Sequence, residues 1–110
     1  MKIKQEILGH SSEFISLCKE HQVGKLYAFG SSTRDDFNDE SDIDLLVEIE
    51  TNDPLKKGEF LLSLWDKFEL FFHRKVDLLT TNTIKNPYLK RNIERSKILI
   101  YDGKGSQIFI

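Results

Sequence analysis

A chain of 110 residues with 39% hydrophobic and 31% charged side chains has the size and mix of one packed domain, which excludes a disordered tail and requires neither disulfides nor a structural metal. A formal net charge of -2 is too small to hold polyanions by bulk attraction, so strong nucleic-acid binding is not expected. No stretch is apolar for long enough to cross a bilayer, and Met1-Lys2-Ile3-Lys4-Gln5-Glu6 lacks the apolar run of a signal peptide, so the expected location is the cytoplasm, without a membrane partner.

In chain order, Ile3, Ile7, Phe14, Leu17 and Cys18 recur at near-helical spacing, predicting a first helix over residues 3 to 21 with a weak point at Gly9. Cys18 is the only cysteine; it rules out an internal disulfide or a thiolate metal cluster, and a buried role in a reducing compartment is expected. Lys25 to Phe29 is a short apolar run of strand length, stopped by Gly30. Ser31-Ser32-Thr33 has the residues to cap a short helical turn. Asp42 to Ile49 reads as a second strand headed by two carboxylates.

Asn52-Asp53-Pro54 marks a turn able to start a helix. From Phe60, the positions Leu61, Leu64, Trp65, Phe68 and Phe71 or Phe72 trace a helical stripe, and the aromatic residues are expected to be packing groups. Lys75 to Thr80 is a third strand with Asp77 inside an apolar run, Pro87 opens a basic helix to Arg95, and Lys97 to Tyr101 is a final strand ended by Asp102-Gly103. The expected organisation is one domain over residues 1 to 103 with a C-terminal tail over 104 to 110. Its fold class is α/β (α+β): a small mixed sheet covered by helices.

Side chains two apart on a strand leave the same face, with Cα atoms roughly 6.5 Å apart, so Asp42 and Asp44 point together. Alone, such a pair fits a solvated strand end as well as a magnesium site. Asp77 alternates with apolar neighbours, and if its strand lies beside the second one, three carboxylates meet and can hold two metal ions for an in-line displacement at phosphorus. Gly30 at a strand end lets backbone approach a ligand, and N–H groups at a helix start favour anions. Ser31 can add a hydrogen bond to a phosphate and Arg34 a charge, although a solvated arginine explains Arg34 equally well.

Phe29-Gly30-Ser31, ten intervening residues, Asp42-Ile43-Asp44-Leu45-Leu46-Val47 and a later Asp77 resemble the DNA polymerase beta-like nucleotidyltransferase superfamily, especially its minimal nucleotidyltransferases (MNT). The likeness spans about residues 25 to 102, including Pro87-Tyr88-Leu89-Lys90 to Tyr101. It implies Gly30 and Ser31 at the nucleotide phosphates, Asp42 and Asp44 as ligands of two Mg2+ ions, and Asp77 as third ligand and base. One departure is Thr33-Arg34-Asp35-Asp36, where members commonly carry alanine, arginine and glycine.

The resemblance further implies an antitoxin that transfers AMP from ATP onto a tyrosine of a HEPN ribonuclease toxin. A non-catalytic module that masks its partner, or a transferase acting on RNA or a small molecule, are the alternatives. Lys90, Arg91, Arg95 and Lys97 offer an acidic partner or RNA a basic face, with a merely solvated face as the plainer reading. His10, His21 and His73 share no ligand spacing, and no zinc site is expected.

Overall fold

The computed structural model describes residues 2 to 33 and 40 to 109, with Lys2 described in its backbone only. Helices α1 (Lys2–Gly9) and α2 (Ser11–Glu20) come first, so the expected single helix is divided at the predicted weak point. Strand β1 (Val23–Ala28) leads into a short 3-10 turn at Gly30–Thr33. Then follow β2 (Ile43–Ile49), α3 (Pro54–Phe72), β3 (Val76–Leu79), a second 3-10 turn at Thr81–Thr83, α4 (Pro87–Ser96), β4 (Ile98–Asp102) and β5 (Gln107–Ile108).

Local chemistry sets the helix starts. Asp53 accepts hydrogen bonds from the N–H groups of Leu55 (3.0 Å) and Lys56 (3.5 Å), with Pro54 at the first helical position. Asn86 and Pro87 do the same for α4, Asn86 accepting from Tyr88 N–H at 2.9 Å. Helix α3 ends where His73 takes a left-handed φ of 54°, a reversal that brings β3 back along the helix that precedes it.

The strands form one sheet in the order β3-β2-β1-β4-β5. Only the β2–β3 pair is parallel, joined through α3, and the other neighbours are antiparallel. The result is the mixed sheet with helices that the residue pattern predicts. The segment after Gly103 differs from an expected tail: Gln107 and Ile108 pair with Asp102 and Tyr101 to extend the sheet. The turn that allows it needs Gly103, whose N–H donates to the Gly24 carbonyl (2.7 Å) and where a Cβ would sit 2.3 Å from the Val23 carbonyl oxygen.

One face of the sheet is sealed by α1, α2 and α3. Ile3, Ile7, Phe14, Cys18, Leu64, Phe68 and Phe72 pack onto Leu45, Val47, Val76, Leu78, Ile100 and Tyr101, all buried. Phe14 is the hub, stacked on Phe68 at 5.5 Å between ring centroids and edge-on to Phe72 and Tyr101. The aromatic stripe of α3 is therefore core, and burial pushes the Cys18 thiol pKa well up, leaving it inert. The opposite face carries a smaller cluster of Phe29, Leu46 and Ile93, and among the described helices α4 covers part of it. No helix of the described residues is long and apolar enough to cross a membrane.

Candidate active site

Alternation along β2 puts Ile43, Leu45 and Val47 into the main core and leaves Asp42, Asp44 and Leu46 for the opposite face. On β3 the same alternation buries Val76 and Leu78 and frees Asp77. The parallel register then pairs Asp44 with Asp77, so their Cα atoms sit about one strand spacing apart, ~4.8 Å. Asp42 precedes the strand and is exposed, whereas Asp44 and Asp77 are half-buried. The β2–β3 pairing thus meets the condition of adjacent strands and sets Asp44 beside Asp77.

The turn after β1 closes over this end of the sheet. Gly30 has φ +60°, and a Cβ added there would lie 2.7 Å from Asp44 Oδ2. Only a residue without a side chain lets the turn lie against that carboxylate. Ser31 Oγ donates to Asp44 Oδ2 (3.4 Å) or to the Asp42 carbonyl (3.3 Å), and Thr33 Oγ1 donates to the Gly30 carbonyl (2.8 Å). The Asp44 carbonyl accepts from Phe29 N–H at 3.1 Å. Gly30 and Ser31 therefore stand beside Asp44, whereas Arg34 and the Asp35-Asp36 departure lie outside the described residues.

Ser32 was not singled out by its sequence context. It is fully buried, and its Oγ accepts the backbone N–H of Asp44 at 2.8 Å. This bond ties the turn to β2 at the acid itself. A hydroxyl between two others in a polar loop gives no periodic signal; only its burial reveals it.

The electrostatics of the group are one-sided. The pKa of Asp44 is raised above its ordinary 3.8 by burial first, then by the Asp77 carboxylate and, more weakly, by Asp42, with the Ser31 hydrogen bonds opposing. Two like charges press on a half-buried carboxylate, an arrangement that a divalent cation relieves. Among the described residues no group of three or more His, Cys, Asp or Glu side chains is disposed to hold a metal ion by itself. Mg2+ is usually held by one or two carboxylates together with substrate phosphates. The donor set therefore fits a cation that arrives with a triphosphate better than a closed protein cage.

The surroundings separate used from unused features. Lys97 pairs with Glu94 (2.9 Å) and lies 4.4 Å from the Tyr27 ring centroid, while Lys90, Arg91 and Arg95 are exposed on α4. His21 is buried between the Leu17 carbonyl (2.7 Å) and Ser63 Oγ (2.9 Å), a bridge from α2 to α3. A cleft of about 330 Å³ beside Glu48, Lys57 and Thr80 lies at the far ends of β2 and β3, away from the acids.

The chain is similar in sequence and in fold to known proteins. The family model of the polymerase beta nucleotidyltransferases covers residues 12–105. A Methanocaldococcus jannaschii protein named "Putative protein adenylyltransferase MJ0128" is 39% identical over 102 residues, which span 91% of this chain and 100% of that one. A solved structure described as a putative minimal nucleotidyltransferase superposes with a TM-score of 0.58 at 29% identity, covering 84% of this chain and 92% of the other. The structure of a tri-AMPylated Shewanella oneidensis HEPN toxin in complex with MNT antitoxin shares the fold, with a TM-score of 0.51 and 18% identity over 96% of this chain and 76% of that chain. The acids that meet across β2 and β3 thus lie in a chain that belongs to the polymerase beta nucleotidyltransferase family, and the protein is a nucleotidyltransferase.

Proposed function

We propose that this nucleotidyltransferase moves AMP from ATP onto a hydroxyl, that of a tyrosine, on a partner HEPN-type toxin, and so acts as its antitoxin. The observation that carries the reading is the pairing of Asp44 with Asp77 beneath the Gly30–Thr33 turn. The relative named for protein adenylylation and the fold shared with an MNT antitoxin bound to an AMPylated toxin support the choice of acceptor.

In this reading Asp42 and Asp44 are the carboxylates that hold Mg2+, and Asp77 completes the set. When bound, the two ions supply positive charge against the phosphate oxygens. The backbone at Gly30 and the Ser31 hydroxyl receive the triphosphate, helped by Arg34. Asp77 accepts the proton of the acceptor hydroxyl as its oxygen bonds to the α-phosphorus and the bond to pyrophosphate breaks.

The test is to incubate the purified protein with Mg2+, α-phosphate-labelled ATP and a lysate of its own host, beside the Asp42→Asn/Asp44→Asn variant. The expected result is a labelled protein band that disappears with the variant, while circular dichroism shows the same fold for both. Label in RNA or in a small molecule would replace the acceptor. No label with either protein would replace catalysis by simple masking of the partner.

A further inference from the structure

Strand β3 is at the edge of the sheet, and an edge strand leaves alternate backbone groups without a neighbour. On its inner side Lys75 supplies its carbonyl to the Ile43 N–H of β2 at 3.0 Å. By the alternation of a parallel ladder, the N–H and C=O of the next residue, Val76, face outward. Both are taken by α3: Glu69 Oε2 accepts the Val76 N–H at 3.0 Å, and Trp65 Nε1 donates to the Val76 carbonyl at 2.5 Å. Trp65 and Glu69 are four residues apart, so one face of the helix presents both groups to one peptide segment.

We propose that Trp65 and Glu69 are positioning residues that hold Asp77 in register with Asp44. The carbonyl that Trp65 grips belongs to the peptide bond joining Val76 to Asp77, and the partners of Asp77 on the other side are those of β2. Asp77 is therefore fixed from both edges of its strand. The helix does for β3 what a further strand would do, while leaving the Asp77 side chain free on the opposite face. This inference rests on the reading of Asp77 given above.

The single tryptophan of the chain and Glu69 allow separate removal of the two grips. Trp65→Phe keeps a ring without its N–H, Glu69→Ala removes the acceptor, and Glu69→Gln keeps an oxygen that still accepts from Val76. The expected result is a kcat for AMP transfer lowered roughly 10- to 100-fold in Trp65→Phe and Glu69→Ala, the range seen when groups supporting a metal site are removed. KM for ATP should stay within about 2-fold, and Glu69→Gln should remain near the parent.

Mn2+ affinity, titrated with α,β-methylene-ATP so that no transfer occurs, gives a readout independent of turnover. Each clamp variant should lose affinity when Asp77 is present and lose nothing further in the Asp77→Asn background. A loss that persists in that background, or a rise in KM equal to the fall in kcat, would mark mere scaffold residues and overturn the clamp. Unchanged kcat and affinity would do the same. If the parent transfers no AMP to any acceptor, the functional reading fails, and the Mn2+ cycle still decides for or against the clamp.

Discussion

On the helix-covered face of the sheet, Phe14, Phe68 and Tyr101 have at most 1% of their surface exposed, and Phe14 packs against both of the others. On the other face Asp44 and Asp77 are half-exposed, crowded by like charge and framed by a turn with a left-handed glycine. The same strands serve both, since each step along β2 or β3 alternates between them. Stability is concentrated where apolar area is removed from water, and the opposite face accepts arrangements that cost stability because the first face offsets them. Substitutions on the two faces should therefore separate folding from chemistry.

The sharpest test of that separation is Phe14→Ala, which removes the aromatic hub. A loss of about 3–5 kcal/mol is expected, a large part of the stability of a domain this size, and thermal unfolding should show Tm falling by more than about 10 °C. A fall of only a few degrees would mean that the helices are held by something other than this core. Gly30→Ala should behave differently. The left-handed backbone costs about 1–2 kcal/mol in a non-glycine residue, and the new methyl, 2.7 Å from Asp44 Oδ2, displaces the carboxylate. A loss of activity on the order of 100-fold with a modest change in Tm is expected, and equal kinetics would remove the turn from the site.

Ser32→Ala lies between the two faces. It leaves the Asp44 N–H without its 2.8 Å acceptor, at a cost of about 1–3 kcal/mol, and urea unfolding together with transfer assays should register both effects. The smallest expected change has the opposite sign. Because the folded state raises the pKa of Asp44, its ionised form disfavours folding, so stability is lost as pH rises through that raised pKa. Asp44→Asn removes the penalty. Without metal, at neutral pH, its Tm should exceed the parent's, by less than the equivalent of about 1 kcal/mol because the group is only half-buried. A lower Tm would show that the carboxylate is already compensated.

The elements that periodicity marks strongly were legible in the sequence: the aromatic stripe of α3, the apolar strands and the break at Gly9. Asp44 and Asp77 were legible as strand residues that alternate with apolar neighbours, whereas Asp42, expected to head the strand, lies just before it. Their meeting was not, because strand order depends on which edge β3 joins. The helical spacing of Trp65 predicts packing, and it does pack, but its hydrogen bond to Val76 depends on a contact made by the fold rather than on local spacing. Ser32 was hidden for the same reason. The pairing of Gln107 with Asp102 escaped notice because a two-residue strand carries almost no alternation.

The parallel crossover of β2, α3 and β3 also has a kinetic meaning. Asp42 and Asp44 are neighbours from the moment they are joined, but Asp77 reaches them only after a 19-residue helix has closed a long loop, a slower event than forming a hairpin. On its outer edge β3 is held by two side chains of α3 in place of a further strand, so its pairing with β2 depends on the Trp65 and Glu69 grips. Where a grip is removed, as in Trp65→Phe, heat or denaturant should extinguish transfer before it erases the spectroscopic signature of the folded domain.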